Sequence, residues 1–177
     1  MARLRKFAQY KKFERPYTRV SKFRKKAFIK ITPNTRVVTF EMGNLRSSFP
    51  YVYHLISEQN VQIRDNALES ARNASNKIME KGIGTSMYKL KLKVYPFHIM
   101  RENPLATGAG ADRFSKGMAH SFGKPIGQAA RIRKGQTVIE CSVNKEHLDF
   151  AKRALSKASS KLPLCYKLQL KERAKTI

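Results

Sequence analysis

Residues 88–95, YKLKLKVY, alternate almost without fault: Tyr88, Leu90, Leu92 and Val94 fall on one face of an extended chain, and Lys89, Lys91 and Lys93 on the other. Successive side chains of a strand point to opposite faces, so this spacing predicts a half-buried strand with a basic outer face. Working outward, Tyr51–Ser57 reads as another strand. A helix is expected from Gln62 to Lys81, with Ile63, Ala67, Ala71, Ala74 and Ile78 at three- and four-residue steps and Gly82 as its stop. Its mostly alanine stripe suits a helix lying close against a sheet. Upstream, Lys26–Thr32 and Arg36–Glu41 read as short strands split by Pro33-Asn34. Downstream, strands are expected at Gln128–Arg133 and Thr137–Val143 around a Lys134-Gly135 turn. Asn144 is placed to cap a helix over Lys145–Lys161, buried through Leu148, Ala151, Leu155, Ala158 and Leu162 and ended by Pro163. Leu164–Leu170 closes the pattern as a strand. Together these make an α+β, two-layer domain with a mostly antiparallel sheet and two helices.

Charge narrows the function. Lys and Arg number 37 against 12 Asp and Glu, +25 on 177 residues, an excess that costs self-repulsion and draws the chain to polyanions. From Met1 to Lys26, Arg3, Arg5, Lys6, Lys11, Lys12, Arg15, Arg19, Lys22, Arg24, Lys25 and Lys26 stand against one acid, Glu14. They are interleaved with Phe7, Tyr10, Phe13, Tyr17 and Phe23. Cations alternating with rings suit an arm that hugs a nucleic-acid backbone and stacks on exposed bases. Residues 1–25 are therefore read as an RNA-binding arm and 26–177 as a single domain. The alternatives are a solubilising tail or a membrane-surface segment, but the apolar residues here lack the spacing of one helical face. No apolar run approaches the roughly 20 residues of a membrane span, so a soluble protein without a membrane partner is expected. Cys141 and Cys165 form no C-x-x-C pair and read as buried free thiols of a reducing cytosol; His54, His98, His120 and His147 show no ligand spacing. No metal and no cofactor is expected.

The segment from Arg101 to Gly127 reads as one long loop. It holds Gly108, Gly110, Gly117, Gly123 and Gly127, with Arg101, Arg113, Lys116 and Lys124. A structureless stretch of that length is uncommon inside a compact domain and is usually functional or disordered. Ala106, Thr107, Ala109 and Ala111 keep it thin enough to enter a crowded RNA cavity. The other reading is a nucleotide-phosphate loop, but Gly108-Ala109-Gly110 has no third glycine in register and no Gly-Lys-Ser/Thr ending.

Several words of this region have a specific resemblance. YPFHIMREN (95–103), AGADR (109–113), Gly117-Met118 and FGKPIGQAAR (122–131) closely resemble the archaeal and eukaryotic branch of the universal large-subunit ribosomal protein sixteen family, the L-ten-e family. RPYTR (15–19), MGN (42–44), QIRDNALESARNASNK (62–77) and KLP (161–163) support it, in order and without a large gap from about Arg15 to Leu170. The resemblance implies a hammerhead-type α+β domain and a structural, non-enzymatic role in the large ribosomal subunit of the cytoplasm. It implies binding to large-subunit rRNA near the base of the central protuberance, close to 5S rRNA and to neighbouring ribosomal proteins. It also implies a loop directed at the peptidyl-transferase region and the tRNA acceptor ends, through Arg101, Asn103, Gly108, Gly110, Asp112, Arg113 and Lys116. Lys124 and Arg131 join the arm and the lysine face as expected rRNA contacts. Pro104 departs from the family, which commonly has a basic residue there, and residues 1–13 match its wording poorly. The chain also ends at Ile177 without the longer tail of eukaryotic members, which favours an archaeal-type or shortened protein.

Single residues keep alternatives. Arg113 either pairs with Asp112 or touches phosphate, Tyr17 either stacks on a base or packs on the domain, and the Lys89, Lys91, Lys93 row is either an RNA contact or a solvated face. His98, alternating with apolar neighbours, reads as a core residue. Two other function classes are a free RNA-binding regulator and an RNA-modifying enzyme; the latter needs a nucleophile, metal set or cofactor loop that the sequence does not supply.

Overall fold

A computed structural model describes residues 6–11, 22–23, 25, 29, 31–103, 105–115 and 117–172, with the side chains of all but Asp112 and His120. In chain order the elements are α1 (Phe7–Lys11), β1 (Glu41–Gly43), β2 (Tyr51–Ser57), β3 (Val61–Arg64), α2 (Asp65–Ile83), β4 (Tyr88–Leu92), β5 (His98–Glu102), α3 (Ala111–Phe114), β6 (Lys124–Ile132), β7 (Thr137–Val143), α4 (Leu148–Ser159) and β8 (Tyr166–Glu172). The strands form two antiparallel sheets, one ordered β1-β4-β7-β2-β8 and the other β3-β6-β5. Helices α2 and α4 pack on each other and over the sheets. Leu68, Ala71 and Met79 of α2 and Ala151, Ala154, Leu155 and Ala158 of α4 meet Leu55, Leu90, Leu92, Ile139, Cys141 and Val143 in one apolar core. This is the expected α+β class.

The alternation at 88–95 survives intact: Tyr88, Leu90, Leu92 and Val94 are buried while the lysines between them are not. Tyr51–Ser57 and Thr137–Val143 appear with the expected bounds; α4 is shorter than expected and buries Ala151, Leu155 and Ala158 of the expected stripe together with Ala154, while Leu148 is partly buried and Leu162 is buried beyond the helix end.

Other expectations need correction. Residues 61–64 are strand, not the first turn of a helix, because Val61–Arg64 finds a ladder with Ile132–Ala129 of β6; the offered strand partner overrides local helical spacing. The buried face of α2 is rotated accordingly to Leu68, Ala71, Ser75 and Met79, leaving Ala67 and Ile78 on its partly buried flank. Helix α2 passes through Gly82 and stops at Gly84, whose φ of +79° a β-carbon would strain. Gly82 serves packing instead: a β-carbon there would lie 2.6 Å from the Phe150 ring of α4.

Residues 36–40 form no strand, and Lys26–Thr32 lies largely outside the described residues. Most bonds of the chain there go to side chains: Gln128 Nε2 donates to the Pro33 carbonyl (2.8 Å) and Arg36 N–H to Asp65 Oδ2 (3.2 Å), with Val37 buried below, and the Phe40 carbonyl accepts from the Leu92 amide of β4 (2.8 Å). Asn144 makes no side-chain cap, and a 3₁₀ turn over Lys145–His147 precedes α4. Cys141 is buried as expected but Cys165 is exposed. The long loop is shorter than read. Arg101 and Glu102 end β5, Lys124 begins β6, and the two strands pair across Arg101↔Pro125 and Glu102↔Lys124.

Candidate nucleic-acid interface

The lysine face is built by strand register. Glu41, Lys91, Glu140 and His54 stand side by side across four strands. Lys91 forms an ion pair with Glu41. Lys93 Nζ lies 3.2 Å from Glu140 Oε2, and Lys89 Nζ donates to the Leu45 carbonyl at 3.3 Å. The hydrogen bond from Lys91 holds the Glu41 carboxyl below its ordinary range, and Glu41 raises Lys91 in return. Burial lowers His54 most, Glu140 pulls it the other way, and Lys171 and Lys93 lower it further, so its imidazole is neutral at neutral pH. Two of the three expected contact lysines thus already hold carboxylates. A phosphate arriving here competes with Glu41 and Glu140 for them. The Lys91–Glu41 pair is exposed on both sides and contributes little to folding, whereas Glu140 in the Lys93 pair is only 15% exposed.

The second region is the β5–β6 hairpin. Its neck is pinned by three contacts. Arg101 donates from Nη1 to the Phe122 carbonyl (2.6 Å), and its guanidinium sits 3.3 Å from the centre of the Phe122 ring. Asn103 Nδ2 donates to the Gly117 carbonyl at 3.2 Å. Gly123, at φ +74°, lets the strands close, since a β-carbon would lie 2.6 Å from the Glu102 carbonyl. Beyond the neck, Gly110 precedes α3, Gly108 and Arg113 are exposed, and a 3₁₀ turn covers Gly117–His120. Arg101 and Asn103, read as ligand-facing, therefore hold the neck together. Lys124 is exposed opposite Glu102, and Arg131 is half-buried opposite Gln62. Lys116 and the Asp112 side chain lie outside the described residues.

Of the arm, Arg3, Arg5, Lys12, Arg15, Tyr17, Arg19 and Arg24 also lie outside them; Lys6, Lys11 and Lys25 are exposed. Tyr10 on α1 packs against the core. The interleaving of rings and cations appears as contacts within the arm, Lys11 Nζ 4.8 Å from the Phe7 ring centre and Lys22 Nζ 5.6 Å from that of Phe23.

Sequence reading missed the apolar character of the hairpin end. Leu105, Phe114 and Met118 are exposed there, Phe114 at 86%. Their signal was available as large apolar residues without period in a glycine-rich stretch.

Comparison with known proteins shows the family. Residues 17–169 match the family model described as ribosomal protein L16p/L10e. The chain is similar to proteins named large ribosomal subunit protein uL16. With that of Archaeoglobus fulgidus it shares 46% identity over 154 residues, covering 87% of this chain and 85% of the relative. The Staphylothermus marinus protein is 46% identical over 149 residues, covering 84% and 82%. For Methanococcus aeolicus the figures are 41% over 169 residues, covering 95% and 94%.

Proposed function

We propose a function from one premise: the chain belongs to the ribosomal protein L16p/L10e family. It is a structural constituent of the large ribosomal subunit, it partners with rRNA and ribosomal proteins there, and it is not an enzyme. Beyond this, the arm of residues 1–25 and the lysine face bind large-subunit rRNA near the base of the central protuberance, in the vicinity of 5S rRNA. The end of the β5–β6 hairpin, with Gly108, Gly110, Asp112, Arg113 and Lys116, is directed at the peptidyl-transferase region and the tRNA acceptor ends, while Arg101 and Asn103 position it.

One observation supports this reading above others: a glycine-rich basic hairpin end, carrying exposed Leu105, Phe114 and Met118, is held by a neck whose contacts are all internal. A chain that only folded would not need it. The test has two arms. A tagged copy should sediment with the large subunit after a moderate salt wash; recovery at the top of the gradient refutes the ribosomal role. Replacing Ala106–Ala111 with a short Gly-Ser link should reduce peptide-bond formation per assembled subunit while the melting temperature of the free chain holds. Collapse of melting with normal activity removes the hairpin from the functional surface.

A further inference from the structure

The outward face of α4 is a cationic surface that neither the lysine face nor the hairpin uses. At 3.6 residues per turn, Lys152, Ser156, Ser160, Arg153 and Lys157 fall within an arc of about 140°. Ala151, Ala154, Leu155 and Ala158 are buried on the opposite side. Between this face and Ile78 of α2 runs an open groove of about 620 Å³. Lys77 and Lys81, one residue before and three after Ile78 on α2, are exposed, as is Lys161 in the turn after α4. Among the described residues none of these six cations has a carboxylate at ion-pair distance, in contrast to Lys91 and Lys93. Arg153, which lines the groove, is held against a packed ring. Gly82 admits the Phe150 ring, and the Arg153 guanidinium lies 5.0 Å from the centre of that ring. The one acid on the face, Asp149, sits in the first turn of α4, where it complements the helix dipole.

We infer that this groove is a second RNA-binding surface, seating a phosphate backbone along α4, an inference that rests on the rRNA-binding reading above. Arg153 and Lys157 stand four residues apart on α4, about 6 Å along the axis, a spacing suited to successive phosphates of one strand, and Lys161 follows in the turn after the helix. A protein partner fits poorly. Protein interfaces deplete lysine from their centres and depend on buried aromatic or aliphatic anchors, whereas this groove offers serine hydroxyls, cations and the half-buried Ile78. Contacts of this type position a protein on RNA without reading sequence.

The test measures binding of the full chain to large-subunit rRNA against salt. The variant Lys152→Gln, Arg153→Gln, Lys157→Gln, Lys161→Gln keeps good helix formers on α4. Losing four phosphate contacts should lower the log-log salt slope by about 3, so the wild-type advantage shrinks about sixtyfold between roughly 50 and 200 mM salt. A control neutralising Arg133, Lys134, Lys145 and Lys167, which are exposed elsewhere, should lose clearly less. Equal losses mean bulk charge alone and overturn the groove. A wild-type slope retained by the α4 variant overturns the groove and leaves the ribosomal reading standing; a wild type without salt-dependent affinity overturns both. A photo-crosslinking residue at position 157 in assembled large subunits should join rRNA, and joining only protein, or nothing, overturns the inference.

Discussion

Replacing Gly123 with alanine tests whether the hairpin neck is a device separate from the core. Gly123 has φ +74°, and an added β-carbon meets the Glu102 carbonyl at 2.6 Å and the Asn103 nitrogen at 2.8 Å, against an ordinary contact of 3.4 Å or more. The left-handed backbone alone costs alanine about 1 to 2 kcal/mol. Relieving the overlap requires the strands to part by about 0.8 Å, at the rung where Glu102 faces Lys124, which sacrifices a bond or two at about 1 kcal/mol each. The local cost is then about 2 to 4 kcal/mol, which accelerates hydrogen exchange roughly 30- to 1,000-fold. The amides to follow are those of residues 101–103 and 124–126. Because opening the neck relieves the strain without touching Leu68, Leu90 or Leu155, the melting temperature should fall by about 5 °C at most. Unchanged exchange at the neck refutes the steric account. A fall of more than about 10 °C with the neck still protected refutes the separation of hairpin from core.

Leu155→Ala removes a fully buried side chain between α4 and the sheet and should cost about 2 to 5 kcal/mol, seen as a fall of roughly 10 °C in a thermal melt, well beyond that of the Gly123 variant. Burial pushes the Cys141 thiol up to about 12 from its ordinary 9. A group raised on folding stabilises fully below its unfolded pKa and loses that contribution as pH climbs toward the folded one. Between about pH 10 and 11 the wild type should therefore lose about 1.4 kcal/mol per pH unit more than Cys141→Ala, and about half that slope at pH 9; denaturant titrations at pH 8, 9, 10 and 11 check this. In native labelling a thiol reagent should modify Cys165 alone, and both cysteines only after denaturation. Glu41→Gln with Glu140→Gln frees Lys91 and Lys93 and should tighten rRNA binding while melting stays within a few degrees; unchanged binding at low salt means the lysine face is only solvated.

The legible parts of this fold are those where one face is buried and the other wet. YKLKLKVY declares both its period and its inner face, and Thr137–Val143 and α4 do the same. Residues 61–64 were not legible because Val61 and Ile63 fit either period and the choice was made by β6, about 70 residues away. The hairpin was hidden by composition: glycines at 108, 110 and 117 suggest a loop throughout, yet Gly123 and Gly127 lie at the start of and within a paired region. Some family words have a structural cause that their spelling does not announce. In MGN, Asn44 Oδ1 accepts from the Arg46 and Ser47 amides (3.1 and 3.2 Å) while its Nδ2 donates to Ser86 O (3.3 Å), so it ties a turn to the start of β4. Arg101 and Asn103, expected as site residues, likewise make contacts that hold the shape of the hairpin neck.

The excess of positive charge is arranged unevenly, and the arrangement bears on how the free chain survives it. On the β4 face, where Lys89, Lys91 and Lys93 stand about 7 Å apart along one strand, Glu41 and Glu140 are interposed by register. Without them, three like charges on one rigid surface would repel at a separation shorter than the Debye length of physiological salt. On α4 the cations spread round an arc and along an axis, and the one carboxylate among them, Asp149, holds none of them at ion-pair distance among the described residues. A face with resident carboxylates binds phosphate by exchange, so part of the gain is spent displacing Glu41 and Glu140. A face whose cations are not ion-paired keeps more of its counterion release. The two surfaces should therefore differ in salt slope per lysine removed, the α4 groove showing the steeper dependence although the β4 face carries the more conspicuous sequence pattern.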